Sequence, residues 1–341
     1  MSTINDLEPL KNEYIPEEVL DRETESEQLR QALENRQNVH VHGPRGTGKT
    51  LIVKKQLESL GTNVCYISCQ RQDTQYKVLR KTVNELTSKT VGSGHHTSEL
   101  QRLLKNQVEA VETTIVLDDL DFLLLNDGDD LLYFLSRIEA DLGLVLITAN
   151  HRELRDQLEE RTFSTLQPQR IGFEPFTGEE IYKVLADRAK NSMKPRSLRR
   201  EALTYIASST QNLAAALTWL RISAQQADNV VTEAHTKRLI SEALQQYTAT
   251  QLRDFTQHHR LLYQAIEKLE SDQKSSVRTG DVHLKYRELC QTYGQKPLTE
   301  RRTSDYLKQL EQLKLITSEY HYGGRKGKTR EINRVNPYSN T

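Results

Sequence analysis

The sequence predicts an α/β fold in which a parallel β-sheet is covered by helices on both faces. Two observations lead to this prediction. Short apolar, β-branched segments alternate with amphipathic segments over the first 175 residues, and strands separated by helices pair in parallel within a buried sheet. Beyond Phe176 the pattern is helical through about Gln246. The predicted strands are 39–41, 64–68, 114–117 and 144–148.

The last part of the chain has a different composition. From about Thr250 it contains two predicted helices and then a hairpin rich in Gly, Lys and Arg. Residues 278–334 hold thirteen Lys/Arg against seven Asp/Glu, although the 47 basic and 47 acidic residues of the whole chain cancel. A basic segment attached to a mildly acidic one indicates a nucleic-acid partner. We expect three domains, 1–175, 176–248 and 249–341.

Composition argues against several other classes of protein. No apolar run approaches the roughly 18 residues that a membrane helix needs, and the start of the sequence lacks the basic and apolar parts of a signal peptide. We therefore expect a cytoplasmic protein without a membrane partner. Cys65, Cys69 and Cys290 are too few and too scattered for a disulfide framework or a zinc site. We expect them to be buried thiols.

A glycine-rich loop follows the first predicted strand. Residues 43–50 match the pattern G-x-x-x-x-G-K-[ST] and open a helix, which is the context that this motif needs. The glycines let successive backbone N–H groups turn towards phosphates, and the helix N-terminus adds partial positive charge. Lys49 is expected to reach the β- and γ-phosphates of ATP, and Thr50 to bind Mg²⁺. The predicted nucleotide-binding residues are Gly43, Pro44, Arg45, Gly46, Thr47, Gly48, Lys49, Thr50 and Leu51.

Two adjacent acids follow the third predicted strand. The apolar run 114–117 ends in Asp118 and Asp119, although a buried strand has no structural reason to end in two carboxylates. Asp118 is predicted to orient Mg²⁺ through its water shell, and Asp119 to polarise the attacking water. The pair is a weak signal by itself. Its position about seventy residues after the glycine-rich loop makes it a strong one.

These motifs resemble those of the archaeal replication-initiator family related to the origin recognition complex and Cdc6. The resemblance extends over nearly the whole chain. It implies a P-loop AAA+ sheet domain, a helical lid subdomain and a C-terminal winged-helix domain. The segments that resemble family motifs are 14–16, 21–23, 69–76, 147–150, 158–166 and 171–176.

The resemblance assigns further roles in the nucleotide site. Asn150 matches the family's first sensor, whose amide reports the γ-phosphate or the attacking water; a turn-forming Asn is the structural alternative. Arg161 matches an arginine that contacts the γ-phosphate of a neighbouring subunit or stabilises a domain interface. A surface pair with Glu159 or Glu160 is the alternative for Arg161. The expected cofactors are ATP or ADP and Mg²⁺, and self-association on DNA is an expected property.

Two positions depart from the family pattern. Asp119 stands where the family usually has glutamate, and its side chain is one methylene shorter. Ala214 stands where the family's second sensor has arginine. Both changes weaken the response to the γ-phosphate, so we expect a protein that binds nucleotide and hydrolyses it slowly.

The C-terminal segment resembles the family's winged helix. Residues 298–313 are predicted to form a recognition helix for the DNA major groove, and 323–330 a basic wing for the minor groove or backbone. A solvated charged face is the alternative for the wing. A helix near 91–104 is expected to add a DNA contact. The predicted DNA-binding residues are Thr299, Arg301, Arg302, Lys308, Arg325, Lys326, Lys328 and Arg330.

The leading function is that of a replication initiator. It would bind double-stranded origin DNA under ATP/ADP control and recruit or load the replicative helicase on a chromosome or plasmid. The alternative is a nucleotide-binding regulator of transcription or plasmid copy number with little or no hydrolysis, which Asp119 and Ala214 favour. A clamp loader or remodelling ATPase fits less well, because such proteins rarely end in a basic winged helix.

Overall fold

A five-stranded parallel sheet organises the N-terminal part of the chain in a computed structural model. The structure describes residues 3–61, 63–87, 91–92, 94–149, 154–272, 277–322 and 328–338. Within these ranges the strands of this sheet are β1 (Val39–His42), β2 (Asn63–Ser68), β3 (Thr113–Asp118), β4 (Leu142–Thr148) and β5 (Gln169–Gly172). Their spatial order is β2-β3-β4-β1-β5, and every neighbouring pair is parallel. The carboxyl ends of the strands therefore lie at one edge of the sheet.

Both faces of this sheet are buried. Ile115 and Leu117 pack in one apolar cluster with Leu144 and Leu146, whereas Val116 belongs to the cluster on the opposite face. Successive side chains of a strand point to opposite faces, so all six residues of β3 are buried. The predicted parallel sheet with helices on both faces is confirmed.

Helices connect the strands. They are α1 (Glu23–Glu34), α2 (Lys49–Glu58), α3 (Gln75–Leu86), α4 (Thr97–Ala110), α5 (Asp121–Asp127), α6 (Asp130–Ser136) and α7 (Glu160–Leu166). Short 3-10 helices cover Glu8–Leu10 and Leu154–Gln157.

Two elements differ from the sequence prediction. Strand β5 is not predicted, because its four residues bury one side chain, that of Ile171, and form no recognisable pattern. The helix expected near 91–104 is α4, which begins at Thr97. The residues before it include Gly92 and Gly94, and glycine costs about 1 kcal/mol relative to alanine inside a helix.

After β5 the chain is helical, as the sequence predicts. The helices are α8 (Gly178–Ser192), α9 (Arg200–Ser209), α10 (Leu213–Gln226) and α11 (Glu233–Arg238). Helix α8 packs against α9 and α10. Its start is fixed by a capping box, in which the Thr177 hydroxyl accepts from the Glu180 backbone and the Glu180 carboxylate accepts from the Thr177 backbone.

The chain divides into two compact units, Met1–Lys237 and Arg238–Thr341. The second unit contains α12 (Ile240–Gln251), α13 (Gln257–Asp272), α14 (Thr279–Thr292) and α15 (Glu300–Gln312). Its antiparallel sheet consists of β6 (Val277–Arg278), β7 (Ile316–Tyr322) and β8 (Lys328–Arg334), in the order β6-β8-β7. The predicted domain boundaries, after residues 175 and 248, stay predictions.

The second unit is a winged helix. Helix α15 buries Leu307 and Leu310, and Leu313 directly after the helix is also buried, as its amphipathic pattern predicts. Helix α13 packs against α14 and α15, while α15 packs against β7.

Two further expectations concern the whole chain. Cys65, Cys69 and Cys290 are buried and have free thiols. Across the described ranges, no helix has the length and hydropathy that crossing a bilayer requires.

Ile206→Ala is expected to destabilise the first unit. Ile206 has no exposed surface in α9, which packs against α8 and α10, so the cavity left by truncation costs about 2–5 kcal/mol. The single tryptophan, Trp219, is buried in α10, and its fluorescence during urea unfolding measures the change. Glu201→Ala, at an exposed position in the first turn of α9, is the control and should lower stability by no more than about 1 kcal/mol, because a carboxylate there interacts favourably with the helix dipole. Equal midpoints for the two variants would contradict this packing.

Candidate nucleotide site and nucleic-acid interface

The glycine-rich loop after β1 is held closely against two other segments. A Cβ at Gly43 (φ 142°) would lie 2.1 Å from the carbonyl oxygen of Phe173. A Cβ at Gly46 (φ 81°) would lie 2.0 Å from Oδ1 of Asn212. These positive φ values and close approaches require glycine. The loop is thus held in one shape between the segment after β5 and the start of α10.

Lys49, the first residue of α2, reaches back into the loop. Its Nζ donates hydrogen bonds to the carbonyl oxygens of Gly43 (2.7 Å) and Pro44 (2.6 Å). Burial, with the nearby positive charge of Arg45, lowers the pKa of Lys49 to about 8. An anion beside a buried ammonium favours its charged form. A phosphate at this loop would therefore offset the cost of burying Lys49.

The carboxylate of Asp118 joins β3 to the loop. Its oxygens accept hydrogen bonds from the Thr50 hydroxyl (3.1 and 3.3 Å), the Tyr66 hydroxyl (2.5 Å) and the Asp119 backbone N–H (2.9 Å). Burial, reinforced by the charge of Asp119, raises the pKa of Asp118 to about 6. The hydroxyl and carboxylate that the sequence assigns to Mg²⁺ are therefore adjacent. Oxygen ligands of this kind suit that ion.

Tyr66 is a site residue that the sequence pattern does not reveal. It lies on β2, where it pairs in register with Val116 of β3, two residues before Asp118. Its contact with Asp118 depends on the adjacency of β2 and β3, which periodicity does not predict. Within β2, Tyr66 is a partly buried residue with no other distinguishing feature.

Asp119 forms an ion pair with a residue of the glycine-rich loop. Its Oδ1 lies 2.8 Å from a terminal guanidinium nitrogen of Arg45, and both side chains are largely buried. The backbone of Asp119 is in the left-handed region (φ 54°), which is uncommon for a residue other than glycine. The structure thus brings Asp119 to the site, as predicted, and gives it an ion-pair partner that the sequence did not indicate.

Of the two remaining predicted catalytic residues, Asn150 and Arg161, the structure describes Arg161. Asn150 lies outside the described residues. Arg161, on α7, is about half exposed; its guanidinium contacts Glu159 (2.7 Å) and Asp130 (3.5 Å) and lies over the ring of Tyr133. The surface pair with Glu159 is therefore present. An exposed arginine is also accessible to a neighbouring subunit, so its role stays a prediction.

Helix α10 begins at the glycine-rich loop. The backbone N–H of Leu213 donates to the carbonyl oxygen of Gly46 (3.1 Å), and Asn212 caps the helix through the Ala215 N–H. Ala214 is therefore in the first turn, next to the loop. A methyl group at this position supplies no charge to a bound phosphate.

A small, mainly apolar cavity lies beside the loop. Arg22 borders it: the guanidinium stacks on Phe176 (3.8 Å to the ring centre) and donates to the carbonyl oxygens of Thr47 (3.3 Å) and Glu174 (2.7 Å). A small apolar slot next to a phosphate loop suits a nucleobase. Gly48 and Leu51 are the lining residues that the sequence analysis assigns to the nucleotide, and most of the others come from distant segments. The apolar lining includes Val19, Leu20, Leu51, Ile52, Phe176 and Leu213.

The predicted recognition helix presents free cations. Arg301 and Arg302, in the first turn of α15, are exposed and have no acidic partner among the described residues. Lys308 is exposed and lies 3.7 Å from Asp305. Thr299 is the N-cap, and its hydroxyl accepts from the Arg302 backbone. The cap fixes the helix start and thus the position of both arginines.

The wing is described in part. Arg325 and Lys326 lie outside the described residues, and Lys328 begins β8. Arg330 differs from the others, because its guanidinium contacts Glu311 (2.6 Å) and Ser318 (2.9 Å). Arg330 shares a strand face with the buried Ile332. It is therefore tied to the interior of the unit, whereas the sequence prediction assigned it to the DNA surface.

Comparison with known proteins covers both units. A sequence model of an AAA domain matches residues 30–158, and one of the CDC6 C-terminal winged helix domain matches residues 250–337. The ORC1-type DNA replication protein of Thermococcus onnurineus is 30% identical over 97% of this chain and 88% of its own length. That of Pyrococcus furiosus is 30% identical over 95% and 85%.

Solved structures agree with these matches. The Aeropyrum pernix ORC1 protein in complex with DNA has a TM-score of 0.77 and 26% identity, over 98% of this chain and 94% of that one. Cdc6p from Pyrobaculum aerophilum has a TM-score of 0.65 and 19% identity, over 98% and 96%.

Fold and site together define an AAA nucleotide-binding protein with a C-terminal winged helix. The chain belongs to the family of ORC1-type DNA replication proteins.

Arg45→Ala is expected to raise the kcat for ATP hydrolysis about fivefold. It frees Asp119 from a partly buried ion pair worth about 1 kcal/mol. Steady-state phosphate release measures the rate, and binding of a fluorescent ATP analogue checks site integrity. The double variant Arg45→Ala/Asp119→Asn should match Asp119→Asn alone. A rise that persists without the Asp119 carboxylate would rule out this explanation.

Arg330→Ala is expected to lower the stability of the second unit. It leaves the partly buried Glu311 carboxylate without its guanidinium, at a cost of about 1–3 kcal/mol. Hydrogen–deuterium exchange should accelerate in peptides covering β8 and α15. Arg301→Ala removes an exposed, unpaired guanidinium from α15, so its exchange rates should equal those of the wild type. Equal rates in both variants would mean that the Glu311 interaction contributes nothing.

Proposed function

We propose that this protein is a replication initiator that binds double-stranded origin DNA under the control of bound ATP or ADP and helps to recruit or load the replicative helicase. The observation that carries the proposal is the contact between Thr50 and Asp118, which assembles a nucleotide site in a chain whose second unit is a CDC6-type winged helix. The family membership supports action on chromosomal or plasmid DNA. Helicase recruitment is the part of the proposal that rests on the resemblance to the replication-initiator family.

The residues of the nucleotide site fit a magnesium–nucleotide complex. Lys49 and the loop N–H groups would hold the phosphates, and the cavity beside Arg22 would take the base. Thr50 and Asp118 would hold Mg²⁺, which neutralises phosphate charge when bound. Tyr66 orients Asp118 through its hydroxyl.

We further propose that hydrolysis is slow. Asp119 is paired with Arg45 and is a methylene shorter than glutamate, so it orients water poorly. Ala214 lies beside the loop without a cation to report the γ-phosphate. Arg161, exposed on α7, would act on nucleotide in a neighbouring subunit during self-association on DNA.

The winged helix supports DNA binding through Arg301 and Arg302. Their position in the first turn of α15 matches the part of a recognition helix that reaches base edges and phosphates. The structure of the Aeropyrum pernix ORC1 protein in complex with DNA supports the same partner for this chain. Lys308 and the wing residues Arg325, Lys326 and Lys328 would add backbone contacts.

A second candidate function is a nucleotide-binding regulator of transcription or plasmid copy number. The Arg45–Asp119 pair and the uncharged Ala214 favour it, because both suit a site that keeps its nucleotide. Replication of a plasmid carrying the bound DNA separates the two functions. If the protein is an initiator, the plasmid does not replicate in cells that lack its gene. If the plasmid replicates normally without the gene, the protein is a regulator.

Arg301→Ala/Arg302→Ala is expected to abolish protection of discrete repeats in a nuclease footprint near the protein's own gene. Each guanidinium–base contact contributes about 1–3 kcal/mol. The control Lys285→Ala removes an α14 lysine that is already paired with Glu288, and its footprint should persist. Loss of protection in the control as well would point to a general charge effect.

Lys49→Ala should abolish nucleotide binding in a fluorescence titration and leave the winged helix folded.

A further inference from the structure

The connection between α8 and α9 has an unusual concentration of positive charge. Residues 190–200 contain five basic residues and no acidic one, in a chain with equal numbers of both. We call this segment the basic strap. All five side chains are exposed. The five are Lys190, Lys194, Arg196, Arg199 and Arg200.

These cations form no ion pairs within the described part of the chain. None of the five has an acidic partner among the described residues. Several other basic side chains of the first unit form ion pairs with nearby carboxylates. Examples are Lys11, Arg30, Arg36 and Lys237. What separates the basic strap from an ordinary solvated surface is that five cations without an acidic partner among the described residues lie within eleven consecutive positions.

The backbone of the basic strap is fixed from two sides. The Lys194 N–H donates to the carbonyl oxygen of Thr3 (2.9 Å). The Arg199 N–H donates to the carbonyl of Val231 (3.0 Å), whose own N–H donates to Ser197 (2.8 Å). Met193 and Ser197 are buried within it. These hydrogen bonds hold the backbone positions of the five basic residues relative to one another.

Two of the cations stand where the fold disfavours them. Arg199 is the N-cap of α9 and Arg200 is its first residue. The N-terminal end of a helix carries partial positive charge, so a cation there is destabilising. Lys190, in the last turn of α8, is favourably placed. Helix stability accounts for Lys190 and does not account for Arg199 and Arg200.

We propose that the basic strap is a second binding surface for duplex DNA, apart from the winged helix, that binds backbone phosphates without reading bases. This rests on the proposed function, in which the chain binds duplex DNA. Three of the five cations are arginines, whose planar fork matches phosphate oxygens. Residues 190–200 include no aromatic side chain. Stacking on aromatic rings is the usual way to hold single-stranded bases, so the duplex is the partner that fits.

The salt dependence of DNA binding tests the proposal. The full-length variant Lys194→Ala/Arg196→Ala/Arg199→Ala/Arg200→Ala is titrated with a random-sequence duplex between about 50 and 200 mM salt. The slope of log affinity against log salt concentration should decrease in magnitude by about 0.9 for each phosphate that the variant no longer neutralises. An unchanged slope overturns the proposal and leaves an acidic protein as the strap's partner.

A matched variant controls for the change in net charge. Lys11→Ala/Arg30→Ala/Arg36→Ala/Lys237→Ala removes the same charge from residues that already have carboxylate partners, and its slope should equal that of the wild type. An equal decrease in both variants overturns the proposal. Arg199→Lys/Arg200→Lys retains the charge and should retain the slope; a decrease there would mean that the alanine variant acts through the fold. Trp219 fluorescence verifies that each variant is folded.

Failure of the underlying function gives a different result. If the wild type does not bind the duplex at all, the proposed function fails together with the strap. If the wild type binds and Arg301→Ala/Arg302→Ala weakens binding while the strap variant does not, the strap proposal alone is wrong.

Discussion

The rest of the nucleotide site depends on one buried carboxylate at the end of a strand. Asp118 is 8% exposed, and burying an unpaired carboxylate costs several kcal/mol. Hydroxyl groups from Tyr66 on β2 and Thr50 on α2, with the next backbone N–H, offset this cost. These hydrogen bonds tie β2, β3 and the glycine-rich loop together. In the proposed function, the interactions that stabilise this buried carboxylate would also orient it towards a magnesium–nucleotide complex.

In the proposed function, the same site holds nucleotide better than it hydrolyses it. The loop is fixed by its close packing at Gly43 and Gly46, and α10 begins against it. Binding groups are therefore preorganised. The groups that would drive hydrolysis are weaker, since Asp119 is held by Arg45 and Ala214 brings no charge.

Pairing distinguishes cations that build the protein from cations that are free to bind. Arg330 is basic and lies in the wing, yet its hydrogen bonds with Glu311 and Ser318 make it part of the second unit's interior. Arg301 and Arg302 have no such partner among the described residues, and neither has the basic strap. A count of charges along the sequence treats these residues alike. Their neighbours in space, which a linear count omits, determine which of them a polyanion can reach.

The sequence by itself determined the sheet, the glycine-rich loop, the carboxylates after β3 and the helix–hairpin unit, because alternation, glycine spacing and amphipathicity are local properties of the chain. The tertiary structure decided what depends on strand order and distant packing. Strand β5 has too few residues for a pattern, and Tyr66 meets Asp118 because β2 lies beside β3. The Arg45–Asp119 pair and the lining of the cavity beside the glycine-rich loop join residues far apart in sequence. Interactions of this kind arise when segments pack, so local periodicity carries no record of them.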